Sequence, residues 1–320
     1  MHSYSLPIHR LPRAGLYGPS MQLLTIFVNV LVPVLTVALI GYLAGPRLGV
    51  DGRPLSRIAY YILAPAFIFN MFSEAQIELA LALRMAAFIY LVTTGCVVIA
   101  MLLARVMGHR GAMVSAFILV TAFGNVGNFG LPIISFGLGE AALIPASVYF
   151  LLLSPYGFIV GVTAAAWGRG SARQAFISAL KTPAILAVIP AIIVNWLDLS
   201  MPLVVQRPIG LLASAMIPIM LLTLGMQLGS MGRPKLSLDV VAASSARLLA
   251  GPLLAFALAA LIGLTGLPRG AGILQASMPS AVFAVLIALE YDLLPDFVTT
   301  TVLFSTLASA ATLTMVLALL

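Results

Sequence analysis

The chain has little charge and almost no cysteine. Only 8% of its 320 residues are Asp, Glu, Lys or Arg, about a third of the share found in soluble domains. Its single cysteine, Cys96, excludes an intrachain disulfide and is expected to pack inside an apolar span. The three histidines, His2, His9 and His109, lack metal-ligand spacing, so neither a metal centre nor a cofactor is expected. No phosphate-binding loop and no nucleophile–base pair stands out. An ATP-driven pump or an enzyme therefore has no support. The net charge of +7 comes from basic residues scattered between apolar runs, which is not a nucleic-acid surface.

Apolar residues are abundant: 62% of the chain, with a mean hydropathy of +1.15. At about 20 residues per bilayer crossing, the length holds about ten helices. Spans are expected near 22–44, 55–73, 82–104, 112–137, 142–167, 182–198, 207–229, 240–264, 270–290 and 296–319. With residues 1–20 outside, eleven basic residues fall on inside loops and five outside. The positive-inside rule then gives a multi-pass inner-membrane protein with both termini periplasmic. Residues 1–20 carry Pro7, Pro12 and Pro19 and no long apolar core, which predicts a flexible tail or a translation start at Met21. Arg247 lies just inside its span and is expected to snorkel to the interface.

Two spans are broken at their middle. One is interrupted by Gly124-Asn125-Val126-Gly127-Asn128-Phe129-Gly130-Leu131-Pro132, the other by Gln275-Ala276-Ser277-Met278-Pro279-Ser280. Freed backbone groups cost several kcal/mol in lipid, so such breaks survive only where they line protein or water. Their positions match in the two halves of the chain. Arg53-Pro54 and Pro65 correspond to Arg207-Pro208 and Pro218, and Glu140 and Pro145 to Glu290 and Pro295. Residues 21–167 and 182–320 are thus expected to be repeats joined by an inside linker, 168–181. Five spans per copy force opposite orientations, and paired breaks in inverted repeats point to a secondary transporter's binding site.

The motifs carry a family resemblance. Asn125 to Gly130-Leu131-Pro132 resembles the fourth span of the auxin efflux carrier family. Gln275-Ala276-Ser277-Met278-Pro279, with Glu290-Tyr291, Pro295-Asp296, Thr299-Thr300 and Phe304, is similar to its ninth and tenth spans. Arg247 to Gly251-Pro252 resembles its eighth, and Leu224-Gly225 its seventh. The resemblance extends from Met21 to the end of the chain. It implies an all-α membrane protein of ten helices in two inverted five-helix repeats. Spans 4 and 9 would cross at their breaks, as in the bile-acid symporters, and access would alternate by elevator-like or rocking motion. It also implies a permease for small organic anions, such as malonate-like carboxylates or auxin-like weak acids. Two departures stand out. The plant carriers' long hydrophilic loop is reduced here to a short basic stretch around Arg169–Lys181, as in bacterial permeases, and span 6 opens with Thr182-Pro183 rather than Asn-Pro.

Asn125 and Asn128 offer amide donors that need no fixed charge to be desolvated. Gln275 and Ser277 are their counterparts in the second half. Either set could equally satisfy backbone groups freed by the breaks. Half-helix N-termini would add positive partial charge for a carboxylate, giving an anion site without an arginine. Pro132 and Pro279 kink the chain. Gly124, Gly127 and Gly130 allow close backbone crossing or ordinary helix packing. Glu140 and Glu290 read as solvated span ends. The expected partners are the bilayer and a small organic anion, not nucleic acid. Proton or sodium as coupling ion, and a homodimer, stay open. A sodium-coupled symporter of the bile-acid type, or a ligand-sensing membrane protein of the same fold, are the alternatives.

Overall fold

The computed structural model describes residues 19–50, 52–75, 78–165, 183–231 and 235–320. The linker 168–181 and residues 1–18 of the expected tail lie outside these, whereas Pro19 and Ser20 already belong to the first helical turn. The helices are α1 (Met21–Leu48), α2 (Gly52–Ser73), α3 (Leu79–Val106), α4 (Ala112–Ala122), α5 (Val126–Leu138) and α6 (Leu143–Ala165). They continue with α7 (Pro183–Trp196), α8 (Leu203–Ser230), α9 (Leu238–Ile262), α10 (Gly266–Ala276), α11 (Phe283–Glu290) and α12 (Pro295–Leu319). By length and composition, α1, α2, α3, α6, α8, α9 and α12 can each cross a membrane, while α4, α5 and α7 are shorter apolar helices. Their exterior is apolar: Leu39, Ile62, Leu102, Leu211, Leu253 and Leu307 are all exposed. Surface of that kind belongs against lipid rather than water.

Proline shapes these helices without ending them. A five-residue π-helical turn precedes each of Pro33, Pro65, Pro132 and Pro252: Phe27–Leu31, Ala59–Leu63, Val126–Gly130 and Ala246–Ala250. Proline has no N–H and crowds the carbonyl four residues back. A wider turn accommodates both defects.

The helices pack as two groups. In the first, α1 lies along α8 and α2 along both α7 and α8. The α1–α8 approach depends on glycine, since a Cβ on Gly225 would stand 1.7 Å from the carbonyl oxygen of Ala38. The amide of Asn195 donates to the Ser73 and Ala75 carbonyls at 3.0 and 3.1 Å, fastening the end of α7 to that of α2. Gln227 Nε2 donates to Ser56 Oγ at 2.9 Å, joining α8 to α2. In the second group α3 packs on α4, α6 and α9, α9 on α10 and α12, and α10 on α6. Cys96 is buried there as expected. His109 Nε2 meets Asp239 Oδ1 at 2.7 Å, tying the α3–α4 turn to the start of α9. The groups meet where the α4–α5 break touches α8: Gly127 is small enough to sit against Met220 and Phe150.

Candidate functional site

The breaks between α4 and α5 and between α10 and α11 are joined to one another. Phe123 is extended (φ −97°, ψ 99°) and Asn125 is non-helical (φ −77°, ψ 56°), so α4 stops and the chain runs briefly straight. Gly124 pairs antiparallel with Ser280, the one β-bridge among the described residues. The Asn125 amide donates to the Pro279 carbonyl and the Ala281 amide to the Phe123 carbonyl, both at 2.8 Å. Two backbone bonds at this depth satisfy groups that lipid would leave bare.

The breaks also leave carbonyls without their usual α-helical donor, and buried side chains occupy them. Thr121 O would accept from the Asn125 amide in an unbroken helix; that amide has gone to Pro279, and Arg247 Nη1 donates to Thr121 O instead, at 3.2 Å. Arg247 Nε donates to the carbonyl of Met278 at 2.8 Å. Val126 O would accept from the Gly130 amide, which bonds Asn125 O, and Gln275 Nε2 takes its place at 3.2 Å. Gln275 Nε2 also donates to Ala146 O at 3.2 Å.

Arg247 is the correction to the sequence reading. It does not snorkel: it is 3% exposed, the one charged side chain buried among the described residues, and it reaches the crossing from the π turn of α9. The crossing, expected to hold no arginine, therefore contains one. Thr121 and Met278 lie at the C-terminal ends of α4 and α10, whose partial negative charge stabilises the guanidinium. Its place is kept by Gly124, where an added Cβ would lie 2.2 Å from Nη2. A sequence signal existed. Arg247 is nine residues past the start of α9, about 13 Å along a helix axis, deeper than an interfacial arginine requires.

Three buried donors at or beside the crossing have no hydrogen-bond partner in the protein: Arg247 Nη2, Asn125 Nδ2 and Ser280 Oγ. Ser244 Oγ, three residues before Arg247, is a fourth. Buried polar groups are ordinarily satisfied, so these unpartnered donors stand out, as does the unpartnered acceptor Gln275 Oε1 beside them. The other expected residues are differently employed. Asn128 is half-buried in the π turn before Pro132, which opens α5. Gly130 faces the side-chain oxygen of Gln275, where a Cβ would stand 2.2 Å away. Both amide hydrogens of Gln275 serve backbone carbonyls, and Ser277 Oγ bonds back to Ile273 O at 2.7 Å. Ser135 Oγ donates to the exposed Glu140 at the far end of α5. Two apolar cavities of about 440 and 180 Å³, lined by Ile99 and Leu253 and by Met85 and Pro145, include no residue of either break.

Helices of this composition, with two broken ones bonded around a buried cation, define a polytopic membrane protein with a polar centre. Residues 26–162 and 168–317 match the membrane transport protein family, and the chain belongs to it, the family of the auxin efflux carriers that its motifs resemble. It is a membrane transporter, not an enzyme. An "Uncharacterized transporter" of Methanothermobacter thermautotrophicus is 27% identical over 88% of this chain and 94% of its own length. Another, from Methanocaldococcus jannaschii, is 26% identical over 83% and 89%. A Rhizobium meliloti protein described as "Putative malonate transporter" is 26% identical over 89% and 93%.

Proposed function

We propose that the protein is a secondary carrier of small organic anions, working by alternating access across the inner membrane. The substrate carboxylate sits at the crossing and accepts from Asn125 Nδ2 and Arg247 Nη2, with Ser280 Oγ and the half-buried Asn128 beside them. Gln275, Ser277, Pro132 and Pro279 hold the broken backbone around it, and Gly127 and Gly130 give room for the crossing. The observation that carries this reading is the unpartnered guanidinium nitrogen and amide nitrogen buried where the two breaks are bonded together. The Rhizobium relative's name adds a carboxylate precedent. A fixed guanidinium at the crossing disfavours sodium binding there, since like charges repel most strongly away from water.

The architecture we propose is ten spans in two inverted five-span repeats, counting α4–α5 and α10–α11 as one broken span each. The packing supports it. Exchanging the halves turns the α1–α8 contact into α7–α2, and α3–α4 into α9–α10, and all four pairs are in contact. The group of α1, α2, α7 and α8 would be the scaffold and the other the moving bundle. The three donors are closed off from solvent in this conformation, so the bundle must shift against the scaffold to admit substrate. Uptake of labelled malonate and of indole acetate into proteoliposomes, with pH and sodium gradients varied separately, tests the proposal. Concentrative or exchange uptake that needs no ATP is expected. Failure of the reconstituted, folded carrier to move either carboxylate would overturn it.

A further inference from the structure

We propose that the protein exchanges one carboxylate monoanion for another, because Arg247 makes the loaded bundle neutral and the empty bundle positively charged. The inference rests on the anion-carrier reading above and goes beyond it to the transport cycle. Arg247 is the one buried charged side chain among the described residues, so no buried carboxylate balances it there. Its fixed partners are the Met278 and Thr121 carbonyls. Helix ends stabilise a cation, but a dipole has no net charge and moves none when a bundle translates. One anion at Nη2 completes an ion pair; without it a whole positive charge remains.

The buried face of α8 is mostly apolar, with Thr223 its one buried side-chain hydroxyl. Met216, Met220, Leu221 and Leu224 of α8 are buried, and Met220 touches the break at Gly127. Carrying an unpaired guanidinium past such side chains costs far more than carrying an ion pair. Return of the empty bundle is therefore the slow step, and a second anion from the opposite side relieves it. The same charge makes that step voltage-sensitive. One elementary charge across 100 mV changes an equilibrium roughly 50-fold, while the neutral loaded bundle feels almost nothing. Inside-negative potential hinders the outward return that uptake requires and helps the inward return that efflux requires.

The test uses the full-length carrier in proteoliposomes with labelled malonate, at a mildly acidic pH where its monoanion prevails. Uptake is measured with and without unlabelled malonate inside, and with a potassium-diffusion potential of either sign. Internal malonate should raise initial uptake roughly tenfold or more. Exchange should ignore the potential, whereas net uptake should fall when the interior is negative. Arg247→Lys, which keeps the charge, should retain this pattern if it transports. Arg247→Gln should shift voltage sensitivity to the loaded step, so that its residual exchange responds to potential. The wild-type comparison decides without either variant. Exchange as voltage-sensitive as net uptake, or no stimulation by internal anion, overturns the proposal while leaving carboxylate transport intact. Absence of both fluxes for malonate and indole acetate overturns the carrier reading and this one with it.

Discussion

Nη2 of Arg247 lies 2.2 Å from where the Cβ of any larger residue at Gly124 would have to stand. The glycine and the arginine thus occupy one place between them, although 123 positions separate them along the chain. Gly124→Ala should push the guanidinium off its carbonyls. The strand-like pairing with Ser280 has its own backbone bonds nearby and should persist. Carboxylate affinity is expected to fall about tenfold, the loss of ~1.4 kcal/mol, and the melting temperature to fall as well, because the Thr121 and Met278 carbonyls lose their charged donor. Normal transport by a folded Gly124→Ala protein would separate the guanidinium from the site.

Asn125→Ala removes an amide donor whose nitrogen is otherwise unpartnered. A hydrogen bond to a charged group contributes ~1.5–3 kcal/mol, so substrate affinity should drop by roughly ten- to a hundred-fold. The backbone bond from Asn125 to Pro279 does not depend on the side chain, and the fold should survive. Isothermal or scintillation-proximity binding in detergent measures it. Unaltered affinity places the carboxylate elsewhere.

Gln275→Leu should do the opposite. Its amide holds the Val126 and Ala146 carbonyls, and leucine would leave both buried acceptors without that donor. A stability loss of ~1–3 kcal/mol is expected, read as a lower melting temperature in detergent, with affinity of the folded fraction nearly unchanged. A large affinity loss at unchanged stability would make Gln275 a ligand contact instead.

Gly225 and Gly210 share α8 but not a fate. A Cβ at Gly225 would collide with the Ala38 carbonyl at 1.7 Å, whereas one at Gly210 meets nothing within 4 Å. Gly225→Val should sharply reduce the yield of folded protein. Gly210→Ala should be neutral or stabilise by up to ~1 kcal/mol, because glycine costs about that much inside a helix. Size-exclusion profiles and melting curves of the two variants compare them directly.

Periplasmic reporter activity is expected from a fusion after Leu320, following the excess of basic residues on the proposed inside loops. A reporter there that works only in the cytoplasm would invert the proposed orientation.

The apolar spans and the two breaks were legible because each is a local pattern: twenty apolar residues, or glycine, asparagine and proline at bilayer depth. Helices lie at all of the expected places, including the short α7, and the breaks fall between Ala122 and Val126 and between Ala276 and Phe283. Arg247 was misread because what holds it is not local. Its acceptors, Thr121 and Met278, lie 126 and 31 positions away, and neither pairing leaves a mark near Arg247-Leu248-Leu249. The division of labour between Asn125 and Gln275 was hidden for the same reason. Two amides at two breaks look alike until the carbonyls they face are known. Only then is one committed to backbone and the other left with a free donor.

A π turn holds about one residue more than an α turn, so side chains beyond it are rotated by roughly 100° from where a regular helix would aim them. In α9 that extra residue falls among Ala246–Ala250, the turn that carries Arg247 and precedes Pro252. The aim of the guanidinium and the lipid-facing stripe carried by Leu253 and Leu261 are therefore phased by a single surplus residue. Deleting one of Leu248–Ala250 would shorten the chain by one side chain and yet re-clock two whole surfaces against each other. Length, as much as chemistry, is under constraint in that stretch.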